Sequence, residues 1–166
     1  DFNLFVSFFK RAAHSEEEID REHIKFVELD QMAEYANKML TDRKQAEDAL
    51  LEKERFLQNV FHGIQDGISV LDLELNIIRV NRWMENVYGD GKPLIGKKCY
   101  EVYQQRKSIC PWCPSVKAIK TGEPQNEIVP YPTEEHPQGW IDLSAYPMKD
   151  DQGRVSAVIE YIKDIT

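Results

Sequence analysis

The sequence predicts an α+β fold in which a long N-terminal helix leads into a domain of five strands and several short helices. Three observations carry this. Residues 26–64 hold no glycine or proline before Gly63 and repeat apolar side chains at heptad spacing. Two short β-rich runs follow, at 68–71 and 77–80, on either side of a polar turn around Glu74 and Asn76. Three further extended runs close the chain at 125–131, 139–146 and 154–163.

The long helix is defined by its seam. Positions 29, 36, 43, 50, 57 and 64 are Leu, Ala, Arg, Leu, Leu and Ile. Positions 26, 33, 40, 47, 54 and 61 are Phe, Ala, Leu, Glu, Glu and Phe. Nine of these twelve are apolar, which predicts a helix over 26–62 packing on a partner helix along a narrow stripe. Arg43, Glu47 and Glu54 interrupt the stripe midway, and the alternative is an amphipathic helix lying on its own domain. Ahead of it, residues 1–25 read as a short Phe-rich helix and an acidic connector. The folded domain is expected over 63–166.

Local signals place the shorter elements. Gly63 and Gly67 end the long helix. Asn81 is placed as the N-cap of a helix through Tyr88, stopped by Gly89. Cys113 precedes Pro114, which suits the first helical position because its missing N–H costs nothing there. That helix runs to about Thr121 and ends at Gly122. In the last strand, Val155, Ala157, Ile159 and Tyr161 are expected to face the core. The other face, Ser156, Val158, Glu160 and Ile162, is too apolar for open water, so the long helix is expected to cover it.

Charge and composition exclude several classes. With 21 basic and 29 acidic side chains the formal charge is −8, which offers no surface for neutralising nucleic-acid phosphates. No apolar run reaches the roughly 18–20 residues that span a bilayer. The Phe-rich start lacks the basic leader and cleavage site of a signal peptide. Three cysteines, an odd number, favour a reducing compartment over a disulfide scaffold. The chain opens on Asp1, which is expected of a piece of a longer protein.

The order of elements, with Asp66-Gly67-Ile68 before the first strand, Asp72 at the hairpin and Val80-Asn81 before the first short helix, resembles a PAS sensor domain. Gly96-Lys97-Lys98-Cys99-Tyr100-Glu101, Thr121-Gly122 and the terminal Asp164-Ile165-Thr166 complete the resemblance, which covers about residues 56–166. It implies a five-stranded antiparallel sheet wrapped around a pocket closed by the short helices. It also implies a non-catalytic input module, which senses a small ligand or a redox state, or relays an upstream signal; the alternatives are a cysteine-based metal or redox sensor and a purely structural dimerising spacer. Glu28-Leu29, Met32-Ala33 and Asn37-Lys38-Met39-Leu40 resemble the second helix of a HAMP-like signalling linker. Together these imply a homodimer joined through the N-terminal helix and feeding a C-terminal output domain such as a histidine kinase. The parent would sit on the cytoplasmic side of a bacterial inner membrane, anchored by an upstream span.

Chemistry-bearing residues are few. Cys110-Pro111-Trp112-Cys113 could chelate zinc or iron or cycle as a disulfide, with Cys99 as a third thiol, or the three could simply pack. As a helix N-cap, Cys113 is expected to have a lowered thiol pKa. A c-type haem would need His where Pro114 stands, and a haem b ligand is missing from residues 114–121. Lys98 and Tyr100 around Cys99 depart from the flavin-binding pattern, so neither haem nor flavin is expected. The four histidines read as solvated. By the resemblance, Trp83, Tyr88, Tyr100, Tyr103, Trp140 and Tyr146 are pocket or core candidates. Val158, Ile162, Asp164 and Thr166 are the candidates for passing a signal from sheet to output. No nucleotide-binding glycine loop, catalytic triad or phosphoacceptor segment is present, and catalysis is not expected of these residues.

Overall fold

Freedom from glycine and proline lets α1 run unbroken over Val27–Gly63, 37 residues and about 55 Å of helix. The computed structural model describes residues 27–131 and 136–166, together with Asn3, Val6 and Ser7. Apart from those three, the helix and connector expected over 1–25 lie outside the described residues. The chain divides into two compact units, Asp1–Leu57 and Gln58–Thr166.

In the first unit, α1 carries an exposed Arg43–Glu47 ion pair one turn apart, a contact worth only a few tenths of a kcal/mol. Large apolar side chains also stand in solvent along it. Leu50 and Leu57, one heptad apart, are 67% and 65% exposed.

The second unit begins with the last turn of α1, where the Arg79 guanidinium lies 5.1 Å from the centre of the Phe61 ring. His62 is half-buried with its ring edge-on to Phe61. Strands β1 (Gly67–Leu71) and β2 (Ile77–Val80) form a hairpin. Its turn is held by Asp72, whose carboxylate accepts from the Glu74 and Asn76 backbone N–H groups at 2.9 and 2.8 Å. Three short helices follow: α2 (Arg82–Tyr88), α3 (Cys99–Tyr103) and α4 (Pro114–Thr121). Strands β3 (Gln125–Tyr131), β4 (Gly139–Lys149) and β5 (Val155–Asp164) complete a five-stranded antiparallel sheet of order β2-β1-β5-β4-β3.

The helix ends follow their sequence signals. Asn81 caps α2 by accepting from the Met84 N–H at 3.2 Å. Pro114 opens α4, and Gly122 closes it in the left-handed region at φ 70°.

The two faces of β5 are reversed from the sequence expectation. Register places Ser69 opposite Glu160, Leu71 opposite Val158 and Leu143 opposite Ile162, and all six are buried on the inner face. Ile159 and Tyr161 point the other way and are half-buried. The error has a physical source. Both faces of this strand are apolar, so alternation alone does not choose between them, and the choice is made by pairing with distant strands.

Asn81 is fully buried and uses both its donors and its acceptor. Its Oδ1 accepts from the Ile68 and Met84 N–H groups, and its Nδ2 donates to the Asp66 carbonyl at 2.8 Å and the Ile64 carbonyl at 3.4 Å. Replacing it leaves several buried backbone groups unpaired. Asn81→Ala is therefore expected to destabilise the second unit by about 3 kcal/mol. Urea unfolding followed by tryptophan fluorescence checks this, and a loss under about 1 kcal/mol would show that the amide is not structural.

Candidate functional site

Above the inner face of β3, β4 and β5, helix α3 and the turn leading into α4 form a half-open cavity, whose roughly 440 Å³ of empty space includes solvent at its mouth. One wall is aromatic, built from Tyr88, Tyr100, Tyr103 and Trp112. The sheet supplies Val129, Ile141, Leu143 and Ile162 as its apolar floor. Cys99, Cys110 and Cys113 fill the gaps, and Gln104 and Glu160 are its polar members.

Local chemistry explains how each side chain arrives. The Cys113 N–H donates to the Cys110 carbonyl at 3.1 Å, closing a turn that brings Trp112 and two thiols to the same wall. Tyr103 is fixed by a 2.9 Å hydrogen bond between its hydroxyl and Ser69 Oγ. The Tyr88 ring packs 4.8 Å from that of Tyr103 and edge-on to Tyr131 at 6.1 Å. Gln104 donates from Nε2 to the Pro130 carbonyl at 3.2 Å, which orients its amide.

The electrostatics are those of a dry site. Glu160 is only 4% exposed, and its carboxyl accepts from Ser115 Oγ at 2.5 Å. Burial pushes its carboxyl up to about 7, an effect that the Ser115 hydrogen bond only partly opposes. Burial likewise raises the Cys110 thiol to about 12 and pushes up those of Cys99 and Cys113. The lowered Cys113 pKa expected from its N-cap position is thus reversed. The nearby Val116 and Ser115 backbone N–H groups favour thiolate, but loss of solvent outweighs them. Among the described residues, no three His, Cys, Asp or Glu side chains are grouped to hold a metal ion.

The sequence candidates fall into three places. Tyr88, Tyr100 and Tyr103 line the cavity with all three cysteines. Trp83 packs beside the core, 6.5 Å from Tyr88, without reaching the cavity lining. Trp140 and Tyr146 are 52% and 45% exposed and do not line it. The period of two explains this correction: the inward positions of β4 are Ile141, Leu143 and Ala145, which turns Trp140 and Tyr146 outward.

The relay candidates divide as well. Val158 is fully buried among Ala118 and Ala145, and Ile162 lines the cavity, so neither lies on the outer sheet face as expected. Asp164 accepts from the Thr166 N–H at 2.9 Å, and Thr166 Oγ1 accepts from the Trp140 N–H at 3.1 Å. The hydrogen bonds from the Thr166 hydroxyl and backbone hold the Asp164 carboxyl below its usual range.

Sequence reasoning missed Gln104, Trp112, Ser115 and Glu160. The one signal available was the charge of Glu160 between Val158 and Ile162 at alternate strand positions.

Because the folded protein holds the Glu160 proton more tightly than the unfolded chain does, its contribution is fully present below pH 4.5 and is lost as pH rises to about 7. At about 1.4 kcal/mol per pH unit, the loss is roughly 3 kcal/mol. Glu160→Gln should flatten this part of the profile. Urea unfolding at pH 5 and pH 8 measures it, and equal pH dependence in both proteins would contradict the assignment.

A family model described as the PAS fold matches residues 61–166. No curated protein sequence matches the chain. Among solved structures, the chain is similar to the PAS domain of a Colwellia psychrerythraea protein, at 21% identity and a TM-score of 0.56, over 70% of this chain and 98% of that one. It is similar to the PAS domain of an HTR-like protein from Haloarcula marismortui, at 18% identity and a TM-score of 0.54, over 74% of this chain and 99% of that one. An RNA-binding light-oxygen-voltage receptor matches at 19% identity and a TM-score of 0.56, over 68% of this chain but only 33% of the receptor. These likenesses speak for the fold. The family match itself covers well over half of the sequence and includes every strand of the sheet, and on that ground the chain belongs to the PAS fold family of sensory and signalling domains.

Proposed function

We propose that this chain is an input module in which occupancy of the cavity is transmitted along β5 to an output domain, such as a histidine kinase, joined after Thr166. One observation supports the reading above others. The strand that supplies Glu160 and Ile162 to the cavity ends in Asp164, and the residues after it are tied back to the first residues of β4. Ile165 donates to the Trp140 carbonyl at 3.0 Å while Trp140 donates to Thr166 Oγ1. A shift of the cavity floor is thus converted into a change at the end of the domain.

Dimerisation through α1 belongs to the same proposal. Leu50 and Leu57 stand exposed one heptad apart, as seam positions awaiting a second helix do. Anchoring of the parent on the cytoplasmic side of a membrane is part of it too, although no described helix is long and apolar enough to cross one. Thiol-based sensing is the second reading, favoured by the turn that sets Cys110 and Cys113 at one wall. Burial keeps these thiols protonated and slow to react, which places the ligand reading first.

Two outcomes are expected. A small molecule that raises the melting temperature of the chain should also change amide exchange at Trp140 and Ile165. In Thr166→Val the melting shift should persist while the response at Trp140 is lost; an unaltered Trp140 amide in the parent chain would sink the relay. Leu50→Lys combined with Leu57→Lys should convert the chain from dimer to monomer in light scattering, with the circular dichroism of the second unit's sheet retained. A dimer that survives both changes would remove α1 as the interface.

A further inference from the structure

The cavity's polar groups specify the chemistry of what fills it, an inference that rests on the ligand reading above. Gln104 is 8% exposed, and its Oε1 has no hydrogen-bond partner among the described residues. The orientation of its amide is not arbitrary. The Pro130 carbonyl can only accept, so the group facing it must be the NH2, which leaves the carbonyl oxygen as the unpaired end. An orphaned buried acceptor costs about 1–3 kcal/mol until a donor meets it.

The second polar member is also an acceptor. Glu160 takes the Ser115 hydroxyl on Oε1, and because burial raises its carboxyl to about 7, near neutral pH it is shared between an acceptor-only carboxylate and an acid that also carries one O–H. The lining contains no Lys, Arg or His. A positive charge nevertheless bears on the site from outside the lining, where Arg106 favours the thiolate of Cys110. The remaining surface is aromatic and aliphatic, with Tyr100 and Trp112 among its rings and Leu143 and Ile162 in its floor. Tyr103, the obvious donor, is already engaged with Ser69.

We propose that the cavity binds a small, planar, largely apolar molecule that carries an N–H or O–H donor directed at Gln104 Oε1. Rings stack on the aromatic wall, the apolar edge covers the sheet floor, and the donor satisfies the unpaired acceptor once the Gln104 side chain, whose Oε1 is closed to solvent in this structure, turns to meet it. Specificity then follows from polarity more than from size. A site holding a buried acceptor rejects an isostere that lacks the matching donor, because the acceptor would remain unpaired beneath it.

The probes are indole and benzofuran, which share shape and area and differ in one atom, N–H against ring oxygen. Isothermal titration of the full chain at pH 7 should show indole binding at least tenfold more tightly than benzofuran. The Gln104→Met variant should bring the two within about threefold by weakening indole alone. If that variant fails to fold, the parent ratio still decides. Equal affinity for both probes would overturn the donor assignment while leaving a ligand cavity in place. Failure of both to bind would overturn the cavity reading itself, and tighter binding of benzofuran would contradict the proposed polarity.

Discussion

The second unit depends on one buried amide. Four backbone groups from three parts of the chain converge on Asn81: the segment leaving α1, the start of β1 and the first turn of α2. No apolar side chain of similar size could take its place, since each of those groups would lose its partner away from water. The amide also fixes a direction. With Gly67 beneath them, the side chains of Trp83 and Met84 come so close that an added Cβ would lie 2.8 and 2.7 Å from them. The first short helix is thereby pressed onto the sheet at the point where β1 begins, and the rest of the helical layer follows from that anchor.

From this anchor the sheet order follows. β1 pairs with β5, so the first and last strands are neighbours and the strand nearest the C-terminus lies in the middle of the sheet. A central strand has no free edge and two covered or coverable faces, which is why β5 is apolar on both sides. Its inner face is divided between two tasks. Val158 closes the small cluster under α4 with Ala118 and Ala145, whereas Glu160 and Ile162 open onto the cavity.

What the sequence disclosed and what it concealed divide along the same line. Asn81 as a cap, Pro114 at a first helical turn and Gly122 in the left-handed region were legible because each is decided within a few residues by backbone chemistry. The strand runs were legible from period and composition. The face of β5 was not, because Ser69, Leu71 and Leu143 decide it from far away in the chain. Trp140 and Tyr146 misled for a related reason: an aromatic side chain in a strand declares that it will pack somewhere, not on which side. Gln104 follows a helix of only five residues whose N-cap, Lys98, makes no capping hydrogen bond from its side chain, so nothing nearby announced its burial. The heptad run of α1 was legible as a helix because no glycine or proline interrupts it before Gly63.

The functional meaning of an unpaired acceptor lies in its magnitude. Leaving Gln104 Oε1 without a donor costs about 1–3 kcal/mol, and coupling free energies between sites in switching proteins fall in about the same range. A ligand shifts a conformational equilibrium only by the difference in its affinity for the two states, so tight apolar contact common to both would shift nothing. A hydrogen bond that forms in one arrangement of the α3 turn over the sheet, and breaks in another, supplies such a difference from a single polar atom. On the proposed ligand reading, the apolar walls would serve affinity and the acceptor the signal. On this view the imperfection of the core at Gln104 and Glu160 is the part of the domain best suited to sensing, and β5, which carries Glu160 at one point and the terminal hydrogen bonds of Asp164 and Thr166 a few residues on, is the shortest covalent path by which that difference could leave it.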